Sequence, residues 1–465
     1  MSAQPFTALA TGEAIRRGEL DPVALTRQCL TRATDSDAVF ISLTEQRALV
    51  EAEACAQRQR SGTLRGPLDG VPLAWKDLFD IAGTATTAGG KVLGKTPAER
   101  DADAVRHAAG AGMVCIGKTN LTEIAYSGLG LNPHYGTPHH TPHPTSGENG
   151  SEREHESRNE NEPRAPGGSS SGSAVAVAQG IVPAAIGTDT AGSLRVPAAF
   201  NGLVSYRPSQ ARHSRLGVTP LADSLDTIGV IASTLDDCLA IDDTMRGSAP
   251  LARTAAVPEQ SVIVLDAGCL DDPRVSSAVG DNLEACASRL EDAGFHIVRR
   301  RVASVADTLE AIARHGWLGA AEAYTEYRAL LEGPDAEAMD PRVRKRLEAA
   351  RQMTPDSVVS LYRLRQALKT RLREELAGAT LLTPTVAHVA PLLAPLEADP
   401  EHFAEVNLAT LRLSMVASLL DSPAVALPSG RDDDRQHTSL QLSGPCGEDE
   451  ALLRVALGAS SALTA

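Results

Sequence analysis

Residues 166–193, PGGSSSGSAVAVAQGIVPAAIGTDTAGS, carry serines at both ends of a segment of small, mostly apolar residues. A serine hydroxyl is a weak nucleophile until a neighbouring base removes its proton. The usual base is the histidine of a Ser-His-Asp set, but the base that this chain offers is Lys76, in LAWKDLFD. The segment therefore indicates serine chemistry with a lysine as partner.

Lys76 stands in an otherwise apolar stretch, 71–83 (VPLAWKDLFDIAG), that is typical of a buried strand. An ammonium group among apolar side chains loses hydration, so its pKa falls and it can act as a base. Ser-Lys hydrolases are a known variant of the catalytic triad. An ion pair of Lys76 with Asp77 or Asp80 at a strand end is the alternative.

Strand and helix patterns alternate along most of the chain, which predicts an α/β sheet with helices on both faces. Asp21 and Pro22 form an N-cap and first-turn proline that predict a helix through the following residues. Residues 42–45 (SLTE) match a capping box for a helix to about Arg60, which Gly62 ends. Serines 169 and 170 precede a predicted helix, SAVAVAQ, and the strand IVPAAIG.

Two segments depart from this alternation. Residues 305–378 are almost entirely helical in pattern and highly charged, which predicts a peripheral helical layer of the same domain. Residues 139–165 are polar with few apolar residues, which predicts a disordered surface insertion. The histidines of this insertion offer metal binding as an alternative, although no ordered ligand spacing accompanies them.

Residues 112–119, GMVCIGKT, match the phosphate-loop pattern G-x-x-x-x-G-K-[ST]. The motif requires bare backbone amides between a strand and a helix. Here the apolar residues between the glycines are themselves a predicted strand that follows a helix. The order of elements excludes a nucleotide site on this pattern.

The composition excludes several classes of function. The chain of 465 residues has a formal net charge of -15, which argues against nucleic-acid and anionic-membrane partners. Seven scattered cysteines without a C-x-x-C pair indicate reduced thiols. The first residues do not resemble a signal peptide, and no apolar run is long enough for a membrane span. We expect a cytoplasmic protein, and leave a homodimer open.

Blocks of sequence around these residues resemble the amidase signature family. The matching blocks, in the family's order, are DGVP (69–72) with Lys76-Asp77, IGKTN (116–120), YGTP (135–138), GGSS (167–170), GTDTAGSLRVP (187–197) and PAAFNG (197–202). The resemblance covers nearly the whole chain. It implies one large α/β/α domain over residues 1–465, with a mixed central sheet flanked by helices.

The resemblance also implies a Ser-cis-Ser-Lys triad. Lys76 corresponds to the base, Ser169 to the serine that relays the proton, and Ser193 to the nucleophile that forms an acyl-enzyme. Ser169 and Ser193 are 24 residues apart, the spacing expected of the family. The family's cis peptide is expected between Ser169 and Ser170, and no metal or cofactor is needed.

The oxyanion hole implied by the resemblance uses backbone amides of the segment that ends at the nucleophile. These are the amides of Thr190, Ala191, Gly192 and Ser193. Ala191 replaces a glycine found in many members, which is expected to change substrate shape. Asp189 is expected to brace this loop.

Ser127, beside Tyr126 in AYSGLG, and Arg195 are the candidates for substrate binding. An arginine could hold a substrate carboxylate, but the position of Arg195 in S-x-R-x-P is shared by enzymes with different substrates. A structural ion pair is the favoured alternative for this residue.

The predicted function is hydrolysis of a small-molecule carboxamide to a carboxylate and ammonia or an amine. The alternative is the glutaminase subunit of a tRNA-dependent amidotransferase, for which the text S-D-T-G-G-S is expected where this chain has T-D-T-A-G-S. A silent relative used as a binding protein is a third class. Because all three triad positions are filled, the sequence favours an enzyme.

Overall fold

A computed structural model describes residues 6–139 and 162–464 of the chain. The remaining residues include 140–161, so most of the predicted insertion 139–165 lies outside the described residues. The alternative metal ligands His140, His143 and His155 lie outside them as well. Within the described ranges, no group of three or more histidine, cysteine or acidic side chains is arranged to hold a metal ion.

Eleven strands form one mixed sheet in the described part of the chain. The strands are β1 Phe40–Leu43, β2 Pro72–Lys76, β3 Val114–Thr119, β4 Ala184–Asp189, β5 Val204–Arg207, β6 Thr227–Ala232, β7 Val262–Asp266, β8 His296–Arg300, β9 Thr380–Pro384, β10 Ala424–Arg431 and β11 His437–Ser443. Their order is β1-β3-β2-β4-β6-β5-β10-β11-β9-β7-β8. Strand β2 is parallel to both β3 and β4, and β7 is parallel to both β8 and β9, whereas the other pairs are antiparallel. The predicted single α/β domain with a mixed sheet is confirmed.

Helices cover the sheet and form a separate layer beyond it. They are α1 Ala8–Arg16, α2 Pro22–Asp35, α3 Glu45–Ser61, α4 Asp103–Gly110, α5 Ser171–Ala178, α6 Arg195–Phe200, α7 Leu235–Met245, α8 Ala267–Leu270, α9 Ser277–Asp292, α10 Ala303–His315, α11 Leu318–Leu331, α12 Pro341–Ala350, α13 Pro355–Leu376, α14 Leu393–Ala398, α15 Pro400–Leu411, α16 Ser414–Leu419 and α17 Asp449–Thr464. Helices α10 to α13 occupy most of residues 305–378. None of the helices in the described ranges is long and apolar enough to cross a membrane.

Two helix starts show how far local signals reach. Asp21 caps α2, since its carboxylate accepts the backbone N–H groups of Val23 and Ala24 at 2.8 Å. The capping box predicted at residues 42–45 is wrong, because Ser42 lies in β1, opposite Lys118 of β3. Helix α3 begins at Glu45 instead and ends, as predicted, at Gly62 in the left-handed conformation.

The centre of the sheet positions the predicted catalytic residues. Side chains alternate between the two faces of a strand, so Leu73 and Trp75 pack into one apolar cluster and Ala74 into the other. The second cluster includes α5, whose first residue follows Ser169 and Ser170 directly. Strand β2 therefore ends with Lys76 close to the start of α5.

Candidate active site

Lys76 is fully buried and contacts two hydroxyl groups. Its Nζ lies 2.7 Å from Oγ of Ser169 and 2.8 Å from Oγ1 of Thr188, the latter near the end of β4. Burial lowers the pKa of Lys76 to about 7, and the more distant charges of Asp226 and Asp189 oppose this shift only in part. Lys76 can therefore be neutral near physiological pH, with a lone pair beside Ser169.

The alternative ion pairs for Lys76 do not form. Among the described residues no carboxylate lies within ion-pair distance of its Nζ. Asp77 instead pairs with Lys118 of the neighbouring strand at 2.6 Å, and Asp80 accepts a hydrogen bond from Thr86 at 2.7 Å. Lys118, which completes the formal phosphate-loop match, is thus a buried partner of an aspartate at the end of a strand.

Backbone contacts tie the two serine segments together. The amide of Ser170 donates to the carbonyl oxygen of Ser193 at 3.2 Å, which joins the segments of the two triad serines. The cis peptide lies between Gly168 and Ser169, one bond earlier than the predicted Ser169–Ser170. A Cβ on Gly168 would come within 2.5 Å of the amide nitrogen of Gly130, so this close passage requires the residue without a side chain.

Ser193 lies in the loop between β4 and α6 and lines a cavity of about 310 Å³. Within the described residues, the amides of Thr190, Ala191 and Ser193 donate to no other protein group. The amide of Gly192 donates to Oδ1 of Asp189 at 2.9 Å, so it is not available for an oxyanion. Three of the four predicted donors therefore remain open.

Asp189 braces this loop from below. Its carboxylate accepts the amides of Gly192 and Leu194, and it contacts the guanidinium groups of Arg195 and Arg207. Burial alone would raise the pKa of Asp189, but the charges and hydrogen bonds of these arginines hold it well below its usual range. A permanently ionised carboxylate therefore supports the turn that presents Ser193.

Apolar side chains form most of the cavity wall. The lining residues are Ala125, Tyr126, Ser127, Thr190, Ala191, Ser193, Leu221, Trp317, Ala320, Arg346, Ala349, Ala350, Met353, Asn407, Leu408, Leu411 and Met415. Ser127 lines the cavity as predicted, and its hydroxyl donates to Asn407 Oδ1 at 3.0 Å. The lining set contains one arginine and no carboxylate, so the described part of the cavity favours a neutral or anionic ligand.

Arg346 is the lining residue that sequence reasoning missed. It belongs to α12, and its guanidinium donates to the carbonyl of Tyr126 and lies 4.4 Å from the centre of the Tyr126 ring. Residues 341–350 (PRVRKRLEAA) carry four basic side chains, so charge alone does not single out Arg346. The available signal was its spacing from the buried residues Val343 and Ala350, since residues three or four apart share a helix face.

Arg195 does not line the cavity. Its buried guanidinium donates to both oxygens of Asp189 at 2.8 and 2.9 Å, to Gln441 at 2.7 Å and to Ser418 at 2.8 Å. Protein groups therefore occupy the donors that a substrate carboxylate would need. These contacts support the ion-pair alternative, and the role of Arg195 in substrate binding is not retained.

The chain belongs to the amidase family, since the family model described as Amidase matches residues 24–453. It is 32% identical to 2-amino-5-chloromuconic acid deaminase of Comamonas testosteroni, over 98% of this chain and 96% of that protein. It is 29% identical to the first subunit of the glutamyl-tRNA(Gln) amidotransferase of Cupriavidus necator, with the same coverage of the two chains.

Solved structures agree with this assignment. An amidase crystal structure superposes with a TM-score of 0.83 at 30% identity, over 98% of this chain and 99% of that chain. Peptide amidase from Stenotrophomonas maltophilia superposes with a TM-score of 0.75 at 25% identity, over 100% and 98%. The protein is thus a hydrolase of the amidase family that acts on carbon–nitrogen amide bonds.

Proposed function

We propose that this protein hydrolyses a small carboxamide bearing an anionic group, through an acyl-enzyme on Ser193. The observation that carries the proposal is the 2.7 Å contact of Lys76 Nζ with Ser169 Oγ, at a lysine without an acidic partner among the described residues. A neutral amine in that position accepts a proton from a hydroxyl, as a general base requires. Ser169 then accepts the proton of Ser193.

Acylation proceeds with atoms and charge in balance. Ser193 Oγ attacks the amide carbon while its proton passes through Ser169 to Lys76, which becomes an ammonium. When the carbon–nitrogen bond breaks, the same proton returns through Ser169 to the leaving nitrogen, which departs as ammonia or an amine. A water molecule then attacks the ester along the same relay, and its second hydrogen returns to Ser193 Oγ. The products are a carboxylic acid and free enzyme.

The loop before Ser193 supplies the stabilisation of the developing oxyanion. The open amides of Thr190, Ala191 and Ser193 are the donors that we assign to it, with Gly192 held by Asp189. Preorganised donors of this kind are worth about 3–4 kcal/mol each when they face the transition state. The methyl group of Ala191 lines the cavity and narrows the space next to these donors.

Arg346 is the group that we assign to substrate recognition. It is the sole charged side chain among the described lining residues, and apolar walls around it strengthen its attraction for an anion. The relative named 2-amino-5-chloromuconic acid deaminase acts, by its name, on an acid, which agrees with an anionic substrate. A short amide with a carboxylate at its other end fits these features.

Glutamine hydrolysis in a tRNA-dependent complex is the second candidate, because the relatives include amidotransferase subunits. Free glutamine carries an ammonium group as well as a carboxylate. No carboxylate lines the described cavity to pair with that ammonium. This difference favours a substrate with one anionic group and no cation.

Ammonia release from succinamate, its neutral diamide succinamide, and glutamine tests the proposal. We expect release from succinamate by the chain alone, weak release from glutamine, and none with Ser193→Ala. Arg346→Gln is expected to lower kcat/KM for succinamate about 10- to 100-fold, the value of a hydrogen bond to a charged group, with succinamide little affected. Arg344→Gln, on the same helix but outside the cavity lining, is the matched control.

Two results would contradict the proposal. Undiminished release with Ser193→Ala would remove Ser193 as the nucleophile. Equal losses for succinamate and succinamide in Arg346→Gln would show that Arg346 supports the fold of the cavity and does not recognise an anion. Preference for glutamine over both amides would favour the amidotransferase candidate.

A further inference from the structure

Glu123 is a buried carboxyl group that takes no part in the chemistry above. It lies in a short 3-10 turn after β3, and its side chain is fully buried. Its Oε1 and Nε2 of His134 both lack a hydrogen-bond partner within the described residues, yet they face each other at 3.4 Å. Gly90 leaves the room for this carboxyl, because a Cβ there would lie 2.2 Å from Oε1.

One proton between these two atoms would satisfy both of them. An ionised carboxylate and an unprotonated Nε2 are both acceptors, so neither can serve the other. A protonated Glu123 donates to Nε2, and its second oxygen still accepts a backbone N–H. Buried polar atoms without partners cost free energy, so the shared proton favours the packed arrangement.

The other oxygen of Glu123 holds the start of α12. Oε2 accepts the backbone N–H of Asp340 at 2.5 Å, and Asp340 is the N-cap of α12. Further along the same helix is Arg346, which lines the cavity. The docking of α12 therefore determines where the guanidinium of Arg346 lies.

Glu123 is also joined to the opposite wall of the cavity. Ile124 and Ala125 have φ of 47° and 61°, left-handed values that are costly for residues with a Cβ, and they lead to Tyr126. Tyr126 in turn contacts Arg346 through its carbonyl and its ring. Glu123 thus connects the two elements that meet at the proposed anion site.

We propose that Glu123 and His134 form a proton-sharing latch that docks α12, and that this latch makes the affinity of the cavity for an anionic amide depend on pH. The inference rests on the proposed function of Arg346. Glu123 is a positioning residue in this proposal, because it acts on the substrate through α12 and Arg346.

The surrounding charges set the direction of the pH dependence. Burial raises the pKa of Glu123 to about 7; the N–H of Asp340 opposes the shift and the Asp340 carboxylate adds to it. Burial lowers the pKa of His134, against the charge of Asp340 and together with those of Lys91 and Arg342. Glu123 is therefore protonated and His134 neutral just below pH 7.

A raised carboxyl pKa means that the folded state favours the protonated form. The stabilisation is fully present below the ordinary pKa of glutamate and is lost as the pH rises through about 7. Above that pH a buried carboxylate lies next to the carboxylate of Asp340, and docking of α12 weakens. The affinity for an anionic amide is therefore expected to fall on the alkaline side.

The test is the ratio of kcat/KM for succinamate to that for succinamide, measured from about pH 6 to about pH 8.5. Both substrates need neutral Lys76, so the ratio cancels the titration of the base. We expect the wild-type ratio to fall by up to about tenfold, since one pKa unit corresponds to a factor of ten. Glu123→Gln should hold the ratio at its low-pH value, because its amide accepts from Asp340 and donates to His134 at every pH.

Two further variants sharpen the experiment. Glu51→Gln is the matched control, because Glu51 is a carboxyl whose pKa burial raises and which accepts the N–H of Cys115, but on α3 and outside the cavity lining. It should leave the slope of the ratio unchanged. His134→Gln gives the ionised Glu123 a neutral donor, so the fall of the ratio should move to lower pH.

The outcomes separate the latch from the proposed function. A preference for succinamate that is constant with pH would overturn the latch and leave the role of Arg346 intact. If succinamate has no preference at any pH, the melting temperature still tests the latch. It should fall in the wild type relative to Glu123→Gln between about pH 6 and about pH 8, and parallel curves would overturn the proposal.

Discussion

Two fully buried lysines end neighbouring strands of the sheet, yet they have opposite surroundings. Lys118 of β3 has Asp77 at 2.6 Å, together with the carbonyl of Ala85 and the hydroxyl of Thr86. Lys76 of β2 has two hydroxyl groups and no carboxylate within ion-pair distance among the described residues. The same residue type thus lies in two different electrostatic environments, one strand apart.

This difference teaches what converts a buried lysine into a base. Burial lowers the pKa of both side chains, but the charge of Asp77 opposes that shift at Lys118. An ammonium with a carboxylate partner is stabilised as a cation and serves the structure. Where the only close partners are hydroxyls, the neutral amine becomes accessible near neutral pH, and one of those hydroxyls can give up its proton.

The largest effect is expected from removing the amine of Lys76. Lys76→Met keeps the approximate shape and eliminates the base, so kcat/KM should fall by roughly 10⁴–10⁶-fold, as for other residues that act as a unit with the nucleophile. The melting temperature should not fall with it, because an apolar side chain replaces a buried amine. Activity within about tenfold of the wild type would contradict the role of Lys76 as base.

The matched change at Lys118 is expected to affect stability first. Lys118→Met leaves Asp77 buried without its cation, which should lower the free energy of unfolding by about 3–5 kcal/mol. Chemical denaturation measures this loss. Lys118→Met combined with Asp77→Asn should recover part of it, because the orphaned charge is removed. A Lys118→Met variant as stable as the wild type would show that the two lysines differ less than their contacts indicate.

The pH dependence follows from the lowered pKa of Lys76. With a neutral substrate such as succinamide, kcat/KM should rise as the pH increases through about 7, because the base must be neutral. The ordinary lysine pKa is 10.5, so the unfolded chain binds a proton that the folded chain has released between these values. Stability relative to Lys76→Met should therefore rise with pH over the same window. An activity that is flat or falls with pH would count against the lysine base.

The smallest effect is expected at Thr188, which accepts a hydrogen bond from Lys76. Thr188→Val removes an acceptor that favours the ammonium, so the midpoint of the pH–activity curve should move below its wild-type value. Well above that midpoint, kcat/KM should change by less than about tenfold, because a single hydrogen bond is involved. A midpoint that moves to higher pH would show that Thr188 favours the neutral amine.

Much of the site was predictable because its residues are encoded in short local patterns. Gly-Gly-Ser-Ser, the spacing of Ser169 and Ser193, and Lys76 in an apolar stretch can all be read along the chain. Arg346 was not, since its helix belongs to a charged layer in which one arginine resembles the next. Its position depends on the docking of α12 against Tyr126 and Glu123, which are distant from it in sequence.

The corrected predictions have a common origin in contacts between distant segments. Ser42 matched a helix cap, but pairing with β3 placed it in a strand. Gly192 was predicted as an oxyanion donor, but Asp189 accepts its amide, and the arginines packed around Asp189 keep that carboxylate ionised. Local propensity is weak compared with pairing and burial, so contacts from elsewhere in the chain decide such positions.

The sequence by itself determined the kinds of side chain available for chemistry, their order, and the alternation of strands and helices. Only the tertiary structure decided that Asp77 pairs with Lys118 and leaves Lys76 without an acid. The physical reason is that a pKa depends on burial and on nearby charges. Both are set by which strands become neighbours and by which helices close over them.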